Sequence, residues 1–173
     1  MSHARASAGR ATAQARRARS LRGLPPHSPF RKAYILKVLA FIDGAARGNP
    51  GPASVGVAVY DGSGALIRGH GRPIGEDTNN AAEYTALLDA LDLAAELGGT
   101  RLAIRSDSQL LVRQFNGQYR VKNKRLQDFL LQAQKKRSRF ASVELSHVPR
   151  EENAAADALA NAALDEARTV ARP

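Results

Sequence analysis

Cysteine does not occur anywhere in this 173-residue chain. Its absence excludes disulfides, thiolate zinc sites and a cysteine nucleophile together, and it fits a reducing compartment such as the cytoplasm. Long apolar runs are missing as well. No stretch approaches the ~20 residues that a membrane-spanning helix requires, so a soluble protein is expected. Acidic residues are missing from one region only. Residues 1–42 carry nine Lys/Arg and no Asp or Glu, whereas residues 43–173 carry 17 Lys/Arg against 16 Asp/Glu, so nearly all of the net charge of +10 sits at one end. Large apolar side chains are scarce in residues 1–32, which are rich in Ala, Arg, Ser and Pro. Such a segment cannot bury enough surface to offset its ordering entropy, and a disordered basic N-terminal extension is expected there. Its Arg- and Ser-rich, acid-free composition is also that of an organellar transit peptide, so targeting and a basic arm both remain open.

What is present beyond that extension is enough for one domain with a real core, expected over 33–167 and followed by a short tail, 168–173. From about Tyr34 a strand runs to Ile42 through the apolar run Val38-Leu-Ala-Phe-Ile42. Ser54–Tyr60 alternates its valines in the manner of a second strand. Asp61-Gly-Ser-Gly64 is turn chemistry, and Ala65–Arg72 completes three antiparallel strands. After a loop over 73–78, Asn79–Leu97 carries Tyr84, Leu87, Leu88, Leu91 and Ala95 at helical spacing, and Gly98-Gly99 stops it. Leu102–Ile104 is a short fourth strand. Helices follow over Ser108–Phe115 and about Asn123–Lys136, then a fifth strand over Ser142–Val148 and an alanine-rich helix over Asn153–Ala167. This order predicts an α/β fold: a five-stranded mixed sheet, first three strands antiparallel, strands four and five parallel, with helices on both faces.

Four carboxylates stand where packing does not ask for them. Asp43 closes an apolar strand ahead of the glycine-rich turn Gly44–Gly51, where a carboxylate is costly unless a cation or hydrogen bonds meet it. Glu83 lies beside the apolar stripe of the first helix, Asp107 ends the fourth strand, and Asp157 sits among alanines in the last helix. Each has a plainer reading: Glu83 as a helix-dipole acid, Asp107 as an N-cap, Asp157 as a solvated helical acid. Taken together, strand ends and helix starts converge on one crevice in an α/β sheet, and four converging carboxylates require cations. Hard oxygen donors of this kind suit Mg²⁺ or Mn²⁺. A second signal is charge: residues 101–139 hold eleven basic and two acidic residues, the footprint of a polyphosphate partner.

Four segments carry a family resemblance: Asp43-Gly-x-x-x-Gly-Asn-Pro-Gly51, Thr78-Asn-Asn-Ala-Ala-Glu83-Tyr, Ser106-Asp107-Ser-Gln and Pro149-Arg-Glu-Glu-Asn153-x-x-x-Asp157-x-Leu-Ala. In that order, over about 34–167, the chain resembles type 1 ribonuclease H, the enzymes that cut the RNA strand of RNA–DNA hybrids. The resemblance implies an RNase H-like fold, and Asp43, Glu83, Asp107 and Asp157 as catalytic metal ligands for two Mg²⁺ ions, with Mn²⁺ able to substitute. It implies 5′-phosphate and 3′-hydroxyl products. It also implies that Asn49, Asn79, Asn80 and Gln109 touch bases and ribose 2′-hydroxyls, and that Thr78 helps hold a DNA-strand phosphate. Amide side chains both donate and accept, which suits the 2′-OH. Asn49 and Asn79 also have plainer readings, as a turn residue and a helix cap.

Two departures from the family pattern matter. Many members carry a long basic protrusion with tryptophans before the fifth strand. This chain has no tryptophan and only the short loop 118–125 there, as in the shorter branch of the family. Hybrid grip is then expected from that loop, from Lys135–Arg139, or from the N-terminal extension. The mobile histidine that many members use near the fourth acid has no clear counterpart. His147 reads as fixed in a strand ahead of Pro149, which leaves Arg150 as the auxiliary catalytic candidate, acting on phosphate rather than on protons. A monomer acting on RNA–DNA hybrid, with double-stranded RNA as a further possible substrate, is the expectation. A non-catalytic hybrid binder on the same fold, or another metal nuclease such as a resolvase, is the alternative.

Overall fold

The computed structural model describes residues 36–170. The expectation for residues 1–32 and the last residues of the tail lie outside that range. Five strands form one sheet: β1 (Lys37–Ala46), β2 (Gly51–Asp61), β3 (Leu66–Asp77), β4 (Arg101–Ser106) and β5 (Ser142–His147). Their order is β3-β2-β1-β4-β5. β1–β2 and β2–β3 pair antiparallel, and β1–β4 and β4–β5 pair parallel, as the element order predicts. The helices are α1 (Asn79–Glu96), α2 (Gln109–Phe115), α3 (Lys124–Arg137) and α4 (Ala154–Val170), with a 3₁₀ turn over Arg150–Asn153 leading into α4.

The period-2 pattern of the strands sets the core. Val38, Ala40 and Ile42 of β1, Val55, Val57 and Val59 of β2, and Leu102 and Ile104 of β4 are buried in one cluster with Tyr84, Leu87 and Leu91 of α1. Burying each large aliphatic side chain contributes about 1.5–3 kcal/mol, which fixes α1 over the middle of the sheet. On the other face α4 packs against β2 and β3. Here the contact is backbone to backbone: a Cβ on Gly56 would lie 2.1 Å from the Ala156 carbonyl oxygen, and the Ser54 hydroxyl donates to the Ala160 carbonyl at 2.6 Å. The buried residues of α4 include Ala156, Ala160 and Ala163. Its alanine-rich sequence therefore reflects close approach to a glycine-bearing strand.

Several boundaries differ from the sequence-based expectation. β1 continues to Ala46, so Asp43 lies within the strand opposite Gly56 rather than at its end. What ends near Asp43 is the parallel pairing: β4 stops at Ser106, level with Ile42, and β1 beyond that point has no β4 partner. β3 runs on through Pro73 and Gly75, residues that read as loop. An edge strand tolerates proline, and Gly75 at φ 82° accompanies a register shift between Ala53 and Ser54, the local distortion that a bulge produces. Thr78, not Asn79, caps α1, and Ser108, not Asp107, caps α2. α4 continues past Ala167 to Val170, into the expected tail.

Candidate active site

Asp43 points from β1 into the crevice where the β1–β4 pairing ends. α1 reaches the same place because residue 44 has no side chain: a Cβ on Gly44 would stand 2.2 Å from the Glu83 backbone nitrogen. Asp107 follows directly on β4. Carboxylate oxygens of Asp43, Glu83 and Asp107 lie within 4.8 Å of one another. Asn153, fully buried before α4, straps this corner together. Its Nδ2 donates to the Ile42 carbonyl at 2.9 Å and to Asp107 Oδ1 at 3.1 Å.

The cluster is electrostatically unbalanced. Burial pushes the Asp43 carboxyl up to about 7, with the negative charges of Asp107 and Asp157 adding to the effect and Arg150 and the Gly44 N–H opposing it. Glu83 is raised well above the usual carboxylate range, again by burial first and then by Asp43 and Asp107. Its Oε2 is buried and has no hydrogen-bond partner among the described residues. A buried acceptor left unmet beside two further carboxylates is what a cation would satisfy, and an all-oxygen donor set suits Mg²⁺ or Mn²⁺. Asp157 stands outside the three-carboxylate group. It accepts from Arg150 Nη2 at 3.1 Å, yet lies close enough to raise Asp43.

This constellation can be set beside known proteins. A family model described as "Reverse transcriptase-like" matches residues 41–163. "Ribonuclease HI" of Halobacterium salinarum is 44% identical over 131 residues, 76% of this chain and 66% of that protein. The crystal structure of RNase H1 from the same archaeon has a TM-score of 0.74 at 43% identity, covering 75% of this chain and 98% of that one. The chain belongs to the ribonuclease HI family. LC11-RNase H1, solved in complex with an RNA/DNA hybrid, is a further structural neighbour, with a TM-score of 0.72 at 38% identity over 75% of this chain and 98% of that one. "Bifunctional protein Rv2228c" of Mycobacterium tuberculosis is 41% identical over 133 residues, 76% of this chain and 36% of that protein. The chain thus spans 66% of the length of one curated relative and 36% of the other.

Within the ribonuclease H fold, a second feature lies at the N-terminal end of α1, the helix that carries Glu83. Asn49, Thr78, Asn80, Asn123 and Arg125 line a cleft of about 290 Å³. Asn49 Oδ1 accepts the Asn79 N–H at 3.2 Å, which ties the β1–β2 turn to the start of α1. Three of the candidate contact residues, Asn49, Thr78 and Asn80, therefore share one surface. Asn79 and Gln109 are exposed at the first positions of α1 and α2 and do not line that cleft.

Three members of this region had no individual role in the sequence reading, although Asn123 and Arg125 fall in the loop 118–125 expected to grip the hybrid. Asn123 caps α3 and lines the cleft, and its place at a helix start was the only available signal. Arg125 makes a two-pronged ion pair with buried Asp77, at 2.7 and 2.6 Å, and that pair holds the Asp77 carboxyl below its usual range. Nothing local announces a partner 48 residues away. Asn153 appeared within a motif but had no assigned role. His147 ends β5 on the face of Val143 and Leu145, and is exposed.

Proposed function

We propose that this chain is a divalent-metal-dependent endoribonuclease that hydrolyses the RNA strand of RNA–DNA hybrids, leaving 5′-phosphate and 3′-hydroxyl ends. The observation that carries this reading is the trio Asp43, Glu83 and Asp107, with the unmet Glu83 Oε2 among them, in a chain of the ribonuclease HI family. A neighbour of 38% identity was crystallised with an RNA/DNA hybrid, which supports the substrate class.

Asp43, Glu83 and Asp107 hold the metal site, and Asp157 completes the donor set. When bound there, two Mg²⁺ ions, or Mn²⁺ in their place, supply Lewis-acid charge that activates the attacking water and neutralises the leaving 3′ oxygen. The chain's own residues position and neutralise charge, and no nucleophilic side chain is needed. Asn153 keeps Asp107 aimed at the crevice. Arg150, beside Asp157, contacts substrate phosphate and stays protonated throughout. Thr78, Asn123 and Arg125 receive a phosphate of the uncut strand in the cleft at the start of α1. Asn49, Asn79, Asn80 and Gln109 present amides to ribose 2′-hydroxyls and base edges.

The test is a cleavage panel in Mg²⁺ and in Mn²⁺, with labelled RNA–DNA hybrid, double-stranded RNA, double-stranded DNA and a duplex carrying one ribonucleotide. Cutting of the hybrid's RNA strand alone is expected. Cutting of duplex DNA but not hybrid overturns the reading.

A further inference from the structure

The basic residues of 101–139 are not equivalent once their partners are known. Lys136 and Arg139 both bond Asp92 at 2.7 Å, Arg125 bonds Asp77, and Lys124 bonds Asp128. Their positive charge is largely met within the molecule. Arg101, Arg113, Arg120, Lys122, Lys135 and Arg137 have no acidic partner among the described residues, and of these Arg113, Arg120 and Lys122 share one segment. All three lie on or beside the eight residues that join α2 to α3.

That connection is held in a defined shape. Val121 is 6% exposed and anchors its middle in the core. Gln127 Nε2 donates to the Val121 carbonyl at 2.8 Å. The Gln118 and Tyr119 N–H groups both donate to the Arg113 carbonyl, at 2.8 and 3.1 Å. Tyr119 is 47% exposed. The Arg113 guanidinium lies 5.0 Å from its ring centroid and donates to its hydroxyl at 2.6 Å. An arginine laid on an aromatic ring keeps outward N–H groups while losing little further freedom on binding. One end of the connection meets the cleft and the other lies one α2 length from Asp107. α2 starts two residues after Asp107 and is roughly 10 Å long, and the α3 cap Asn123 lines the cleft with Thr78 and Asn49.

We propose that Arg113, Arg120 and Lys122, with Tyr119 as their platform, form a second surface that grips the phosphate backbone of an RNA–DNA hybrid outside the cleft. The inference rests on the function proposed above and concerns one of the three candidate sources of hybrid grip. A strand seated in the cleft at Asn123 continues over this connection, whose unpaired charges meet its next phosphates. At the basic end of α3 the single carboxylate of Asp92 meets Lys136 and Arg139 together, so that pair keeps about one unit of net positive charge.

The test is fluorescence anisotropy of the full chain on a 24-base-pair RNA–DNA hybrid in EDTA, from 25 to 300 mM KCl. Two exposed phosphate contacts account for about 1.8 in the slope of log K against log salt. R120A/K122A, which retains Val121, is expected to lower the slope by roughly that amount and to weaken binding by about tenfold or more at 50 mM KCl. K136A/R139A removes the same formal charge and is expected to lower the slope by less. An unchanged slope in R120A/K122A, or an equal fall in both variants, overturns the proposal. Failure of the wild-type chain to cleave hybrid at all, in a parallel assay with Mg²⁺, overturns instead the function on which it rests.

Discussion

Gly44 and Glu83 are in contact through their backbones. The space that a side chain at residue 44 would need is taken by the Glu83 nitrogen, 2.2 Å from the position of a Cβ, and by the Ala82 carbonyl carbon at 2.4 Å. The position of Glu83 beside Asp43 is thus set by a missing methyl group. Gly44→Ala must push α1 off β1. The expected cost is about 1–3 kcal/mol of stability, read in thermal or urea unfolding. A loss of cleavage rate of tenfold or more is expected as well, because Glu83 leaves the crevice. A variant of wild-type stability and rate would contradict this packing.

A second prediction concerns pH in the absence of metal. Asp43 ionises near pH 7 in the folded chain against 3.8 as a free carboxyl, and Glu83 is shifted in the same direction. The folded form therefore binds more protons than the unfolded form between about pH 4 and 7. Stability must fall as pH rises through that window and level off above the folded value. In EDTA, Tm is expected to fall by ~5 °C or more between pH 5 and 8, corresponding to about 2 kcal/mol. Asp43→Asn should melt higher than wild type at pH 8 in EDTA, and Mg²⁺ should raise the wild-type Tm more at pH 8 than at pH 5. A flat pH profile in EDTA would count against the buried, cation-deficient cluster.

Asp77 and Arg125 give a pH effect of opposite sign. The ion pair holds Asp77 below its usual range, so its contribution is complete above the unfolded carboxyl value and is lost as pH falls through the lower folded one. Arg125→Met removes the main partner of a carboxylate whose side chain is 7% exposed, and leaves it the Thr78 N–H at 2.9 Å. A destabilisation of about 1–3 kcal/mol is expected at pH 7, shrinking towards pH 3, together with a raised KM for hybrid. Equal stability of variant and wild type at pH 7 would show that the pair contributes nothing.

The N-terminal 32 residues supply a fourth prediction. Their removal is expected to leave the Tm of the remaining chain unchanged and to weaken hybrid binding mainly at low salt, as for any sequence-independent electrostatic contact. Unchanged affinity at low salt would favour targeting as their role.

These outcomes also show what the sequence made legible. Alternating valines in Ser54–Tyr60 and the leucine stripe of α1 report periods that packing enforces, so the sheet and its covering helix could be read directly. Asp43 stood out because an apolar strand has no use for a carboxylate. Its place within β1 was not legible, since Gly44 reads as a turn, whereas the structure uses it for close approach by α1. The same confusion hid the end of β3, where Pro73 and Gly75 belong to an edge strand. Asp77–Arg125 and Asn153–Ile42 were out of reach for a different reason: each joins residues distant in sequence, and neither residue type announces its partner. The division of the basic cluster into paired and unpaired charges likewise needed the acids of α1.

The most direct test of the account is cleavage of a 5′-labelled RNA strand in an RNA–DNA hybrid by wild type and Asp107→Asn, in Mg²⁺, with hybrid affinity measured on the same preparations. The variant keeps the size of the side chain, and Asn153 stays bonded to Ile42. The account predicts 3′-hydroxyl RNA fragments from the wild type, a loss of rate of at least about 10³-fold in the variant, and hybrid affinity within roughly threefold of wild type. Wild-type rates from Asp107→Asn would contradict it.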